Sequence, residues 1–308
     1  MAPPTPSPTS ADRSGLVLFL IPTLIWGTTW LVIKFQLGVV EPEVSVGWRF
    51  GVAALLLLGW CLARGVPLRL PWRAHLQVAL LGLLLFGINY VLTYRSEGYL
   101  TSGLVAVLFA SMVFWNLLGA RVFFGTRAPL AVLGGAALGV AGVALLFWPE
   151  LGGLRAGPGQ GTGIALALGG TVLASAGNLY SQRLSARGLA VMPVTAWGMG
   201  YASLAVLAWC LLRGLPLTFD ARPAYVLSLL YLAVFGSVIA FVTYLTLIKR
   251  VGAGRSGYSA AVIPVVAMLA STLFEGYRWT PEALAGLVLV SLGTVLTLRA
   301  RARAAALA

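Results

Sequence analysis

The chain has 308 residues, 59% of them hydrophobic and only 9% charged, with 21 Lys or Arg against 8 Asp or Glu and a formal net charge of +13. Ordinary soluble domains carry about 25% charged residues, so a chain of this composition could not hide its apolar surface in water. Its apolar residues form continuous runs of about 20 rather than an alternating pattern, which excludes a transmembrane β-barrel and fits helices crossing a hydrocarbon core of about 30 Å.

Residues 1–14, MAPPTPSPTSADRS, are rich in Pro, Ser and Thr without helical periodicity, and predict a disordered tail. No basic segment and small-residue cleavage site bracket the first apolar run, so these residues do not read as a signal peptide. Spans are predicted at 15–36, 43–63, 74–96, 100–124 and 128–148, forming a first repeat over 15–148. A Gly/Pro linker follows at 149–160. Spans at 161–183, 191–212, 222–248, 255–277 and 280–299 form a second repeat over 161–299, before a basic tail at 300–308. The expected fold is an all-α integral membrane protein of ten transmembrane helices.

The two halves match at an offset of 154 residues. Gly82 falls opposite Gly236, Tyr90 opposite Tyr244, Gly98 opposite Gly252, Ser102 opposite Ser256, Gly103 opposite Gly257 and Ala106 opposite Ala260. With five spans in each half, an odd number, the second copy lies upside down relative to the first. Two five-helix inverted-topology repeats are the architecture of alternating-access transport.

Charge sets the expected orientation. With the N-terminus cytoplasmic, 14 of the 21 cations fall inside: Arg13, Arg64, Arg69, Arg73, Arg121, Arg127, Arg183, Arg187, Lys249, Arg250, Arg255, Arg299, Arg301 and Arg303. The other face receives Lys34, Arg49, Arg95, Arg155, Arg213, Arg222 and Arg278, together with every acidic residue but Asp12. Both termini are then cytoplasmic. The basic residues are dispersed at the ends of apolar runs, so the charge reflects membrane topology and not nucleic-acid binding. A lipid bilayer and a small-molecule substrate are the expected partners, and ten spans suffice for a monomeric pathway.

Enzyme chemistry finds little support. GPGQGTG at 157–163 does not satisfy GxGxxG, and no Walker A sequence is present. Gly254-Arg255-Ser256-Gly257 spells the GxSG of intramembrane serine proteases, but that chemistry needs a base. The single histidine, His75, sits in a basic loop as a solvated residue. Cys61 and Cys210 lie within apolar runs as packing residues, and no cluster of residues could hold a metal. The expectation is no enzyme, no metal and no cofactor.

Charges near the span ends (Lys34, Arg49, Glu97 and Glu275) are expected to snorkel to the outer face or to pair, as Lys34 or Arg49 with Glu41 or Glu43. Neutral polar and aromatic groups recur at mid-depth, where lipid would not tolerate them. Those expected to line a central substrate cavity are Trp26, Trp30, Asn89, Tyr90, Trp115, Asn178, Tyr180, Tyr244 and Tyr258. Others bond between packed helices. Such a lining suits a small amphipathic solute. Gly47 with Gly51 and Gly135 with Gly139 permit close helix approach. Pro22 and Pro264, inside spans, permit kinks, and Lys34, Pro264 and Glu275 are expected to serve in gating or structure.

Trp26-Gly27-Thr28-Thr29-Trp30 followed by Lys34, and Ser256-Gly-Tyr-Ser-Ala-Ala-Val-Ile-Pro264 leading to Glu275, Gly286 and Gly293, resemble the EamA-type members of the drug/metabolite transporter superfamily. The resemblance covers essentially the whole chain and implies ten spans in two inverted repeats and export of amino acids or other metabolites. YRSEGYLTSGLVAVLF and LIKRVGAGRSGY look like the aromatic amino-acid exporter branch. The first half departs from the pattern, with Ala110 and Arg121 where the repeat would place the Pro and Glu. The implied function is an inner-membrane exporter of aromatic or large neutral amino acids, with a nucleotide-sugar or organophosphate antiporter as the alternative.

Overall fold

The computed structural model describes residues 8–125, 129–146, 148, 159–244, 246–247 and 259–306. Ten helices run through these residues. The first half contains α1 (Pro8–Lys34), α2 (Pro42–Ala63), α3 (Trp72–Glu97), α4 (Ser102–Phe124) and α5 (Leu130–Leu146). The second contains α6 (Gln160–Ala186), α7 (Val191–Leu212), α8 (Pro223–Tyr244), α9 (Ser259–Phe274) and α10 (Pro281–Ala306). Eight are long and apolar enough to cross a membrane, while α5 and α9 are shorter apolar helices. Proline opens α2, α8 and α10, where its missing N–H costs nothing because a first-turn donor has no intrahelical acceptor.

Both ends are more helical than the sequence pattern implied. Of the tail expected to be disordered, 1–7 lie outside the described residues, while 8–14 continue α1 from Pro8. The basic tail extends α10 to Ala306, because its Ala and Arg residues are strong helix formers. Most of the expected linker, 149–158, lies outside the described residues.

The packing is pseudo-symmetric. Contact of α1 with α9 is matched by α6 with α4, α2 with α8 by α7 with α3, and α1 with α8 by α6 with α3. Two pairs are their own mates, α2 with α7 and α5 with α10. The α5–α10 seam is built on glycine. A Cβ at Gly142 would lie 2.7 Å from the Gly286 carbonyl, and one at Gly293 would lie 2.5 Å from the Gly135 carbonyl. Backbones meet there with no side chain between them.

Each half also interrupts its third helix with a π segment, Leu83–Gly87 in α3 and Leu232–Ile239 in α8. Shifted by 154 residues, the first falls on 237–241 and overlaps the second. The largest core cluster joins α2, α3, α7 and α8 through Phe50, Phe86, Tyr94, Met199 and Leu232. A second joins α4, α9 and α10 through Leu104, Leu108, Met268 and Leu287.

Candidate functional site

Where α1, α2, α3 and α8 converge, aromatic rings pack edge to face. The Trp26 ring lies 5.1 Å from Tyr244 and 5.4 Å from Phe241, and Phe241 lies 6.2 Å from Phe86. Tyr90 packs 4.7 Å from Phe50. The Trp26 indole N–H donates to the Gly236 carbonyl at 3.1 Å, inside the π segment of α8. A π turn widens the helix by one residue and frees backbone groups from the regular ladder, so a carbonyl at this position is available to a neighbouring helix. Trp26, Tyr90 and Tyr244 are thus brought to one region. The rings are in edge-to-face contact with one another.

Arg49 belongs to the same region, and sequence reasoning placed it wrongly. It is only 2% exposed. Its guanidinium lies over the Tyr90 ring at 4.7 Å and the Phe50 ring at 5.1 Å, and Nη1 donates to the Tyr94 hydroxyl at 3.3 Å. Tyr94 in turn donates to Gln36 Oε1 at 2.8 Å. Neither expected pairing of Lys34 or Arg49 with Glu41 or Glu43 forms; Glu43 instead binds Arg95. The usable signal was depth: seven residues into α2 is about 10 Å along the axis, too far for the head group to reach the interface beside such large rings.

A polar lock of hydrogen bonds and one ion pair joins the helix ends where α1 and α3 finish. Lys34 Nζ donates to the backbone carbonyls of Glu97 and, at 2.7 Å, of Leu100, and lies 3.5 Å from the Glu275 carboxylate. Glu275 accepts from the Ser102 amide at 3.0 and 3.1 Å and from its hydroxyl. Ser102 is the first residue of α4, so Glu275 satisfies an otherwise unpaired helix donor and meets the positive end of the helix dipole. Because Lys34 belongs to the first half and Glu275 to the second, the lock ties the repeats together. The Glu97 side chain is 1% exposed and its carboxylate oxygens have no hydrogen-bond partner.

The other residues singled out in the sequence lie elsewhere. Trp30 packs on Phe109 of α4 at 4.9 Å. Asn89 donates to the Leu85 carbonyl within its own helix and faces Gly170 of α6. Asn178 donates to Met112 Sδ, and Trp115 packs on Phe114. Tyr180 lies in the lateral cluster of Val78, Leu81 and Val194. Pro264 is buried within α9, and Tyr258 lies outside the described residues. His75 is not a solvated loop residue: it hydrogen-bonds Tyr201 at 2.7 Å and meets the edge of Trp197, because α3 begins at Trp72 and carries it onto α7.

A small cleft between α4, α5 and α10, bordered by Ser111, Phe114, Gly139 and Thr294, lies away from the ring cluster. Among the described residues no group of His, Cys, Asp and Glu could hold a metal. Outside the spans, the Arg222 side chain and backbone amide both donate to Asp220 and hold its carboxyl below the usual range.

Comparison with known proteins gives the arrangement a family. The profile of the EamA-like transporter family matches residues 13–148 and again 161–299. An uncharacterized inner membrane transporter of Escherichia coli (strain K12), YedA, is 32% identical over 275 residues, covering 89% of this chain and 85% of its own. A probable amino-acid metabolite efflux pump of the same organism is 25% identical, covering 92% of this chain and 94% of its own. A solved crystal structure that is 21% identical superposes with a TM-score of 0.68 over 94% of this chain and 99% of that one, a likeness of fold. With its ten apolar helices and its two matched halves, the chain belongs to the EamA-like transporter family of the drug/metabolite transporter superfamily, and is a membrane transporter and not an enzyme.

Proposed function

We propose that this protein exports amino acids with aromatic or large neutral side chains across the inner membrane, as a monomer with both termini cytoplasmic. The observation that carries the reading is the ring cluster of Trp26, Tyr90 and Tyr244 at the junction of the repeats. Aromatic faces receive an apolar side chain, while hydroxyl and indole groups hydrogen-bond a polar one. The likeness to a probable amino-acid metabolite efflux pump supports the substrate class, and the name inner membrane transporter carried by the more similar relative supports the location. Orientation rests on the excess of Lys and Arg on the side of the N-terminus.

Alternating access supplies the mechanism. The Lys34–Glu275 lock holds one face closed, and the two repeats rock about the ring cluster to break it. The rings must part to admit a solute, and Pro22 in α1 and Pro264 in α9 supply points at which those helices bend. The test is counterflow of radiolabelled amino acids and other solutes in proteoliposomes, with and without a proton gradient. Tyr90→Ala and Tyr244→Ala are each expected to slow exchange at least tenfold. Unchanged rates in both would remove the ring cluster from the pathway. The second reading, an organophosphate or nucleotide-sugar antiporter, draws on the buried cation Arg49; protection of Lys34 and Arg49 from chemical modification by a phosphorylated solute would favour it.

A further inference from the structure

Arg49 is a permanent charge buried beside the ring cluster with no carboxylate in salt-bridge contact; Glu97 acts on it only through space. The groups that surround it come from four helices. On α2, Phe50 lies under its guanidinium. From α3 come the Tyr90 face and the Tyr94 hydroxyl. Helix α8 approaches through Gly236, where a Cβ would lie 3.5 Å from Nη2, and α1 through Thr29, 2.9 Å from the same point. The ion pairs among the described residues are Lys34 with Glu275, Arg95 with Glu43 and Arg222 with Asp220, and none includes Arg49. Its Nε has no hydrogen-bond partner.

A buried guanidinium carries five donors in a planar fork and is stable only when an anion or several acceptors meet them. Two ring faces and one phenol do not. Packing does not demand the charge either. The equivalent position in the second repeat is Ser203, a neutral residue that donates to the Gly47 carbonyl at 2.7 Å. Gly236 links the cation to the rings, since its carbonyl takes the Trp26 indole while its Cα faces Arg49.

We propose that Arg49 is the anion-binding residue of the transport site and receives the carboxylate of the solute, whose apolar part lies against Trp26, Tyr90 and Tyr244. The proposal rests on the transport reading above and narrows it to solutes that bear a carboxylate. A planar fork pairs with a planar carboxylate through two parallel hydrogen bonds. A single cation balances a monoanion and leaves the second charge of a phosphate monoester unmatched. In the absence of solute the ring faces of Tyr90 and Phe50 hold the charge by cation–π attraction, a weaker partner that a carboxylate can displace.

The experiment is counterflow of the purified full chain in proteoliposomes with phenylalanine, phenylpyruvate (carboxylate without amine), phenylalaninamide (amine without carboxylate) and glycerol 3-phosphate. Wild type, Arg49→Gln and Arg49→Lys are compared. The expected result is that wild type exchanges the carboxylates at least tenfold faster than phenylalaninamide. Arg49→Gln collapses that ratio at least tenfold and Arg49→Lys only partly. The proposal is overturned if Arg49→Gln keeps the wild-type ratio, if wild type moves phenylalaninamide as fast as phenylalanine, or if glycerol 3-phosphate outruns both carboxylates. Exchange of phenylpyruvate but not phenylalanine, lost in Arg49→Gln, would defeat the amino-acid reading and leave the role of Arg49 standing. Should Arg49→Gln fail to fold, thermal stabilisation of wild type by phenylpyruvate and not by its uncharged amide supports the proposal, and equal stabilisation by both overturns it.

Discussion

Helices α3 and α8 occupy equivalent places in the two repeats and carry the same backbone device, yet they put it to different use. Both contain a π segment and a matched glycine, Gly82 just before the segment in α3 and Gly236 inside the segment in α8. Both are preceded by a loop pinned by an indole from the partner repeat. Trp197 of α7 donates to the Leu68 carbonyl, and Trp48 of α2 donates to the Thr218 carbonyl. The divergence lies in what the glycine faces. Gly82 lies against the backbone of Gly198, so that α3 and α7 meet as a fixed seam. Gly236 faces the side chains of Thr29 and Arg49 and lends its carbonyl to Trp26. One copy of the glycine lies in a helix seam, and the other lies beside the ring cluster and Arg49.

The strongest way to break the comparison is to add one methyl group to each glycine. At Gly82 a Cβ would lie 2.1 Å from the Gly198 carbonyl oxygen and 3.0 Å from its Cα, and backbone cannot step aside. Gly82→Ala is expected to destabilise the fold by about 3 kcal/mol, the upper end for overpacking, seen as a lower unfolding midpoint in detergent. At Gly236 the nearest atom is the Thr29 methyl, at 2.9 Å. Gly236→Ala is expected to cost about 1 kcal/mol while slowing transport. Equal losses of stability would show that the two glycines do the same job.

Next in size is Lys34→Met, which tests the far end of α3. Lys34 is bound to the carbonyls of Glu97 and Leu100 and to Glu275, so its loss strands two buried carbonyl acceptors and removes the counter-charge of a carboxylate that keeps its bonds from Ser102. The expected cost is about 2 kcal/mol, with faster labelling of a cysteine placed at the end of α1 in a background lacking Cys61 and Cys210. A labelling rate equal to wild type would mean that the lock does not close this face. Smaller again is Trp26→Phe, which keeps an aromatic ring of smaller size and removes the bond to the Gly236 carbonyl. About 1 kcal/mol is expected, together with slower exchange of amino acids.

How much of this was legible in the sequence follows from the same two helices. Span number, the repeat and the match of Gly82 with Gly236 are properties of composition and spacing, which hydropathy and an offset search report directly. Tyr90 and Tyr244 stand out because a phenol within an apolar run is conspicuous and both lie at the repeat offset, and the structure brings both to the ring cluster. The π segments were not legible, since an extra residue in a turn leaves no mark in an otherwise apolar run such as LLLFG or LAVFGSVI. Arg49 and Glu97 were assigned to the interface because depth was judged from distance to the span end alone. Their burial depends on which neighbours crowd them, Phe50 and Tyr90 for the one and the α1–α3 junction for the other, and a one-dimensional pattern does not contain it. Asn89 and Tyr180 show the converse: polar groups at mid-depth that face a helix seam, as Asn89 toward α6 and Tyr180 in the cluster of Val78 and Val194.

The smallest effect concerns how the two helices begin. Helix α3 starts after Pro71 with no side-chain cap, whereas before α8 Asp220 accepts from both the amide and the side chain of Arg222. These donors, the guanidinium first, favour the ionised carboxylate and lower the Asp220 pKa. A carboxyl whose folded pKa is depressed stabilises the fold at pH above its unfolded value of about 4, and that contribution is lost as pH falls through the folded value. Asp220→Asn is therefore expected to lower the unfolding midpoint slightly at neutral pH, with the difference from wild type closing as the pH drops below about 4. The Arg222 guanidinium is exposed while the Asp220 carboxyl is largely covered, so added salt should shrink the same difference only in part. A gap that persisted in acid would trace to lost turn geometry and not to charge, and the entries to α3 and α8 would then differ in backbone conformation alone.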